Sequence, residues 1–278
     1  MNSLSHELQR LYCHPDVPCQ QATPGGSLQA TPLTDQALSA LAGKPGFILP
    51  LQNAQGLVRT LTLTLNRNQD WHQLAALYAA LEQDLALPLP ALAVLATGGF
   101  QLWFSLDTPI EPARGHAFLA GLQSTYLAQV PSQWVKLQAS VQGNETGIEL
   151  VPNHHAASDC WSAFIDPALG GMFADEVGLD VPPNPEGQAN ILARFRSIKA
   201  DDLQRAEVQL QTAVTPVTTA VPTAAIDSHP HSARLSVDAP FTDPKAFLLA
   251  VMNSPATSGE LRVKAAAALL PYYEKPKA

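Results

Sequence analysis

The residues best placed to do chemistry surround a glycine turn between two apolar strands. Residues 92–106 predict two strands that are joined by a turn at Gly98 and Gly99. A glycine pair tolerates positive φ, or lets a ligand approach the backbone closely. Gln101 and Trp103 share one face of the second strand, so the turn and this face are a candidate floor for a site. A purely structural hairpin has the same ingredients.

Cysteines and histidines form a second group with chemical potential. Its members are Cys13, Cys19, His154, His155 and Cys160. Thiolates and imidazoles bind zinc, but the two cysteines of the first segment lack CxxC spacing, and the other candidates lie far along the chain. Adjacent histidines on a strand point to opposite faces, which makes a poor metal cradle. Asp159 and Cys160 also allow a hydrolase hypothesis in which a cysteine–histidine pair acts as nucleophile. Ordinary surface or half-buried side chains are the alternative.

Composition narrows the classes of partner. The chain has 278 residues, with 16 basic and 24 acidic side chains. This acidic balance argues against broad, sequence-independent adhesion to nucleic acid or anionic membranes, although a local basic patch is compatible with it. The three cysteines make no disulfide framework. No apolar run has membrane-spanning length, and the first residues lack the order of a signal peptide, so we expect a cytoplasmic protein with no membrane partner.

The elements that must position these residues alternate regularly. Strands are predicted at residues 47–53 and 57–66, followed by a helix that Asp70 can cap. The glycine hairpin comes next, then a helix at 113–127 and two further strands. The order β-β-α-β-β-α-β-β predicts an α+β fold, with a mainly antiparallel sheet and helices packed on one face.

Four segments follow from these patterns. Residues 1–45 are expected to form an N-terminal helix and loop, and residues 46–205 the α+β core. Residues 206–236 predict a linker, since they are rich in Thr, Val, Ala and Pro. Residues 237–278 predict a two-helix appendage, because they contain two helix-capping patterns. The appendage either docks to a protein partner or packs back on the core.

In this order of elements, residues 47–150 resemble the catalytic core of the archaeo-eukaryotic primase superfamily, the primase-polymerases of plasmids, phages and integrative elements. In that family a strand ends in Asp-x-Asp, a helix follows, and a Ser-Gly-Gly-x-x-His hairpin contacts nucleotide phosphates. Here a strand leads into NRN at 66–68, a helix follows, and TGGFQ stands at 97–101. Residues 243–275 are similar to short helical segments of small phage and mobile-element proteins, including small-terminase-like sequences. That similarity favours the same genetic setting.

The resemblance implies a metal site whose ligands have been replaced. Asn66 and Asn68 stand where the family has aspartates, and Gln101 stands where it has histidine. Two-metal phosphoryl transfer needs negative oxygen ligands, and Mg²⁺ is held poorly by neutral amides. Glu149 and Asp166 are possible substitutes for a third acid, but neither would bind metal usefully alone. We therefore expect no cofactor, with Mg²⁺ or Mn²⁺ required only if relocated acids keep the site active.

These observations lead to one main functional hypothesis and two alternatives. The main one is a catalytically degenerate primase-like protein that binds single-stranded nucleic acid or a DNA replication partner, in a phage or mobile genetic element. Its nucleotide contacts would be Arg59, Arg67, Gly98, Gly99, Gln101 and Trp103, with Trp103 stacking on a base. For Trp103 the competing interpretation is a core aromatic. The alternatives are an active primase-polymerase with relocated acids and an unrelated α+β binding protein.

Overall fold

The computed structural model describes residues 3–23, 26–41, 44–140, 147–174 and 176–214. In this part of the chain the strands are β1 Gln20–Ala22, β2 Leu28–Ala30, β3 Phe47–Leu49, β4 Val58–Leu65, β5 Ala91–Val94, β6 Phe100–Ile110, β7 Val135–Gln138, β8 Ile148–Glu149, β9 Asn153–His155 and β10 Cys160–Ile165. The α-helices are α1 Leu4–Leu11, α2 Asp35–Ser39, α3 Trp71–Gln83, α4 Pro112–Tyr126, α5 Pro185–Leu192 and α6 Ala200–Val214. Short 3₁₀ turns cover Asn68–Asp70, Ser132–Trp134 and Pro167–Phe173.

The strands form two antiparallel sheets. The larger sheet has the order β7-β4-β6-β5-β10-β9, and the smaller has the order β2-β1-β3-β8. The predicted α+β class is therefore confirmed, and elements β3 to β8 follow the predicted β-β-α-β-β-α-β-β order. The single sheet expected from the sequence is two sheets, because β3 pairs with β1 and β8 rather than with β4.

One face of the larger sheet is packed by α3 and α4. Leu61, Leu63 and Leu65 of β4 are fully buried there. Phe118 of α4 meets Phe104 of β6 edge to face, with ring centroids 5.9 Å apart. Each fully buried leucine contributes about 1.5–3 kcal/mol relative to an exposed one, so this face supplies much of the core.

Part of the opposite face of the larger sheet, at Thr60 and Ser105, is covered by α1. The hydroxyls of Thr60 and Ser105 donate to the carbonyls of Tyr12 and Leu11 at the end of this helix, at 2.9 and 2.5 Å. These bonds satisfy carbonyls that an α-helix leaves without partners at its C-terminus. The expectation of helices on one face alone thus describes α3 and α4 but misses α1. The N-terminal residues also share a sheet with the core, since β1 pairs with β3.

Helix α6 lies along α4 and ends at Val214. Arg114 of α4 makes a two-pronged ion pair with Glu207 of α6, at 2.8 and 2.9 Å. The helix includes residues 206–214, which the sequence predicted as the start of the linker; the amphipathic spacing of Leu203, Ala206 and Leu210 overrides their composition. The rest of the linker and the C-terminal appendage lie outside the described residues. None of the described helices combines the length and apolar character needed to cross a membrane.

Candidate functional site

A cleft of about 450 Å³ opens between the two sheets. The larger sheet lines it with Thr64, Gln101, Lys136 and Gln138, together with Asn66 just past the end of β4. The smaller sheet contributes Ile48 and Glu149, and the β9–β10 hairpin contributes Asn153, His155 and Ser162. Most of these side chains are polar, so the cleft is suited to a hydrated or charged ligand rather than an apolar one.

The floor of the cleft is held by side-chain hydrogen bonds. Gln101 is buried, and its amide donates to the Thr64 hydroxyl at 2.9 Å. These residues are cross-strand partners, and Thr64 also pairs with Lys136 of β7. Because directly paired residues project from the same face of a sheet, the register brings all three side chains to one side. Gln101 is thus fixed on the side of the sheet that faces the cleft.

The wall opposite this floor carries the carboxyl group of Glu149 and the imidazole of His155. Burial raises the pKa of the Glu149 carboxyl, although the side chain is partly open to solvent; the nearby Asn153 amide and the His155 ring both act to lower it. Gly46 makes room for this carboxylate, since a Cβ there would lie 2.7 Å from the Glu149 Oε1 atom. Asn153 is fixed by Ser162, whose hydroxyl accepts the Asn153 backbone N–H at 3.0 Å. A carboxylate and an imidazole therefore face the amides of the floor.

The two asparagines of the NRN segment have different environments. Asn66 is exposed in the cleft, where no hydrogen bond of its side chain is found within the described residues. Asn68 does not line the cleft: its amide donates to the Phe173 carbonyl at 2.7 Å and also to the Glu176 carbonyl. The side-chain oxygen of Asn68, Oδ1, accepts a hydrogen bond from the backbone N–H of Gly99. Asn68 is therefore a structural bridge between the glycine turn and residues 173–176.

The glycine turn is packed rather than open. Gly98 and Gly99 have φ values of +89° and +93°, and a Cβ on Gly99 would lie 2.1 Å from the Leu65 carbonyl oxygen. The backbone N–H of Gly98 donates to Leu95, and that of Gly99 donates to Asn68. Both N–H groups are satisfied within the protein, so the turn as folded does not offer them to a phosphate. Its role here is to bring β6 against the end of β4.

Two of the predicted contact residues are structural, which corrects the sequence analysis. Trp103 is 1% exposed, and its ring packs edge-on against Tyr12 at 5.2 Å, so it cannot stack on a base. Arg59 donates to the carbonyls of Arg10, Cys13 and Leu106 at 2.7–3.2 Å, which ties the end of α1 to the sheet. An irregularity in the β4–β6 register at Val58–Thr60 frees Arg59 from the ladder.

Arg67 is placed at the rim of the cleft. Its guanidinium lies 5.4 Å from the centroid of the Trp134 ring and donates to the Gln69 side chain at 2.9 Å. Asp70, predicted to cap α3, makes no side-chain cap hydrogen bond and instead lies 3.6 Å from Arg67. Arg67 thus remains a candidate contact, and Trp134 joins it.

The cysteines and histidines are not assembled into a metal site. Across the described residues there is no group of three or more His, Cys, Asp or Glu side chains that could hold a metal ion. Cys13 and Cys19 are buried with sulfurs 3.8 Å apart, while Cys160 donates to the Ser158 carbonyl. His154 contacts Asp159 at 3.1 Å.

The proposed cysteine–histidine nucleophile is not formed either. The His155 Nδ1 atom lies 2.9 Å from the hydroxyl of Ser158, not against Cys160. Since the Ser158 hydroxyl can donate to Ala96 at 2.8 Å and its backbone N–H approaches the same His155 nitrogen, this contact stabilises the β9–β10 turn.

Comparison with known proteins gives little further information. No protein-family model and no curated protein match the sequence. Among solved structures, the chain is similar to the AEP domain of the primase-polymerase (PrimPol) of cyanophage S-2L. That match has 12% sequence identity and a TM-score of 0.39, and it covers 68% of this chain and 96% of that domain. At this level of similarity the match carries no argument about function.

The structure adds cleft residues that the sequence did not single out. Lys136 and Asn153 line the cleft, and Trp134 lies at its rim. His155, which the sequence suggested as a metal ligand or as part of a cysteine–histidine pair, is a cleft residue instead. Lys136 had a detectable signal, because it alternates with apolar residues on a strand that pairs with β4. Asn153 had none, since its position depends on pairing across the β9–β10 hairpin.

Proposed function

We propose that this protein binds nucleic acid through the cleft between its two sheets and does not carry out two-metal phosphoryl transfer there. On this proposal it is a degenerate relative of the primase-polymerases that acts in the replication of a phage or other mobile genetic element. The setting comes from the resemblance of residues 47–150 and 243–275, and it stays a prediction. Nucleic acid is favoured over a protein partner because most of the residues that line the cleft are polar and two of them, Lys136 and His155, are basic.

One observation carries the proposal. Asn66, Gln101 and Glu149 are separated along the chain, yet all three line a single cleft. The primase resemblance gives these three positions a shared role, and their meeting in one cleft supports it. Two other positions that the resemblance points to lie elsewhere: Asn68 is taken up by the glycine turn, and Asp166 pairs with Arg194 at 3.1 Å outside the cleft.

The side chains do not fit a pair of divalent cations. Among the described residues that line the cleft, Glu149 supplies the only carboxylate. Mg²⁺ is held by carboxylates and phosphates, and a single carboxylate leaves two ions short of negative oxygen ligands. A neutral Asn66 and Gln101 can instead donate to and accept from a sugar or phosphate.

The proposal is tested by binding of fluorescein-labelled single-stranded DNA at low salt. Lys136 and His155 are the basic side chains among the described residues of the cleft. The K136A/H155A double variant is therefore expected to bind single-stranded DNA about 5- to 50-fold more weakly than the parent. Lys199→Ala, an exposed lysine outside the cleft, is the matched control and should stay within about twofold of the parent. No binding by the parent, or equal losses in both variants, would refute the proposal.

The catalytic alternative makes a different prediction. An enzyme with relocated acids would extend a primed template when nucleotides and either Mg²⁺ or Mn²⁺ are supplied. On the proposal made here, the parent protein gives no metal-dependent extension although it binds the template. Extension that Glu149→Gln abolishes would favour the enzyme instead.

A further inference from the structure

A stacked arginine–tryptophan pair stands at the rim of the cleft. The Arg67 guanidinium lies over the Trp134 ring at 5.4 Å, which is within the range of a cation–π interaction. The Arg67 side chain is 35% exposed, and Trp134 is half-buried against the core. We refer to Arg67 and Trp134 as the rim pair.

The rim pair continues directly from the cleft floor. Leu65 and Val135 are cross-strand partners, and the backbone N–H of Asn66 donates to the Trp134 carbonyl at 2.9 Å. Arg67 follows the cleft-lining Asn66 past the end of β4, and Trp134 precedes β7, where Val135 separates it from the cleft-lining Lys136. A ligand that lay along the cleft past Lys136 would meet this pair.

The other tryptophans cannot serve the same purpose. Trp103 and Trp161 are buried. The Trp71 ring is packed against Phe100 at 5.0 Å and against Gly170, where a Cβ would lie 2.0 Å from the ring. The neighbour of Trp134 is instead the partly exposed Arg67 side chain, whose Nε atom lies 3.6 Å from the more buried carboxylate of Asp70. Arg67 can keep its place over the ring and present its own plane outward, or swing aside.

We infer that the rim pair is a stacking site for an unpaired nucleobase of a strand whose phosphates pass through the cleft. This rests on the proposed function and adds a preference for single strands over duplex. Bases stack on aromatic rings and on guanidinium planes, and stacking tolerates any base because each has a π face. In a duplex each interior base is already stacked on both sides, so the rim pair has nothing to bind.

The test compares oligothymidine with a blunt-ended two-stranded duplex by fluorescence anisotropy. Trp134→Ala is expected to weaken single-strand binding about 5- to 100-fold while leaving duplex binding within about twofold. Trp134→Phe keeps an aromatic face and should lose much less. Arg67→Ala, which removes only a partly exposed side chain, should weaken single-strand binding about 3- to 30-fold. Its matched control is Arg194→Ala, an exposed ion-paired arginine outside the cleft, which should behave as the parent.

The outcomes separate this inference from the proposed function. If the cleft variant K136A/H155A weakens binding but neither Trp134→Ala nor Arg67→Ala does, the rim pair is refuted and the cleft stands. Equal losses for single strand and duplex also refute it, because stacking on an unpaired base would not affect the duplex. If Trp134→Ala does not fold, Trp134→Phe and Arg67→Ala decide the question. If the parent binds no nucleic acid, both ideas fall.

Discussion

Introducing aspartate at the two asparagine positions should have very different consequences for stability. Asn68→Asp replaces two N–H donors by carboxylate oxygens that face the carbonyls of Phe173 and Glu176. Each lost hydrogen bond costs about 0.5–1.5 kcal/mol, and unpaired carbonyls add about 1–3 kcal/mol, while the bond from Gly99 is kept and offsets part of this. We expect a loss of about 3 kcal/mol in the free energy of unfolding, or a fall in Tm of about 6–12 °C for a folded unit of this size. Asn66→Asp, exposed in the cleft, should change stability by no more than about 0.5 kcal/mol.

Urea unfolding of the two variants at several pH values checks this reasoning. In the Asn68→Asp variant the two carbonyls oppose ionisation of the introduced carboxyl, so its folded pKa would lie above its unfolded value of about 3.9. The destabilisation is then complete above the folded pKa and disappears as the pH falls below the unfolded value. Once protonated, the introduced carboxyl donates one hydrogen bond, so low pH should bring the variant closer to the parent. If Asn68→Asp is as stable as Asn66→Asp at neutral pH, then Asn68 is not the bridge described above.

Three further predictions concern the cleft and its support. Thr62→Val should raise the free energy of unfolding in urea by about 1 kcal/mol, since this buried hydroxyl has no hydrogen-bond partner among the described residues. Thr64→Val should lower the free energy of unfolding by about 1–3 kcal/mol, because it leaves the buried Gln101 amide without its acceptor. Changes of the same sign in the two variants would contradict the hydrogen-bond assignment. Gly99→Ala should cost at least about 2 kcal/mol in thermal unfolding, because it adds a clash to a positive φ, and a Tm like that of the parent would rule this out. At neutral pH the Glu149→Gln variant should unfold at a higher urea concentration than the parent. The pKa of the Glu149 carboxyl is raised in the folded protein, so ionisation of this carboxyl lowers the stability of the parent. The parent regains that stability below the ordinary carboxyl pKa of 4.5, where the two proteins should become equally stable. A difference that grows on acidification would contradict it.

The element order was predictable from local patterns, and the faces were only partly so. The alternation in QLWFSL correctly put Gln101, Trp103 and Ser105 on one face of β6, as their pairing with Thr64, Thr62 and Thr60 shows. What the pattern could not reveal is that α1 covers part of that face. A short N-terminal helix can pack almost anywhere, and its position here depends on hydroxyls of the distant β4 and β6. The buried state of Trp103 therefore lay beyond the sequence.

The part of the candidate site that lies at the ends of β4 and β6 could be predicted from the sequence. The part that depends on how the strands divide into two sheets could not. Asn66 and Gln101 meet because β4 and β6 are antiparallel neighbours, as two strands flanking a helix and hairpin suggest. Glu149 reaches them from a second sheet, which forms only because β3 chooses β1 and β8 as partners. Arg59 was predicted to contact a nucleotide, but it lies at a register irregularity of β4 and donates to backbone carbonyls at the end of α1 instead.

The cleft draws on residues from Ile48 to Ser162, so no short fragment of the chain contains it. Its walls exist only once both sheets have formed, and contacts of such sequence separation appear late in folding. Binding competence and global folding should therefore be lost together in denaturant. If an oligonucleotide binds the folded unit as proposed, the same linkage stabilises that unit by about 2.7 kcal/mol when the ligand is at about 100 times its Kd. A thermal-shift screen of nucleic acids against the parent and the K136A/H155A variant would then report whether the bound site is this cleft.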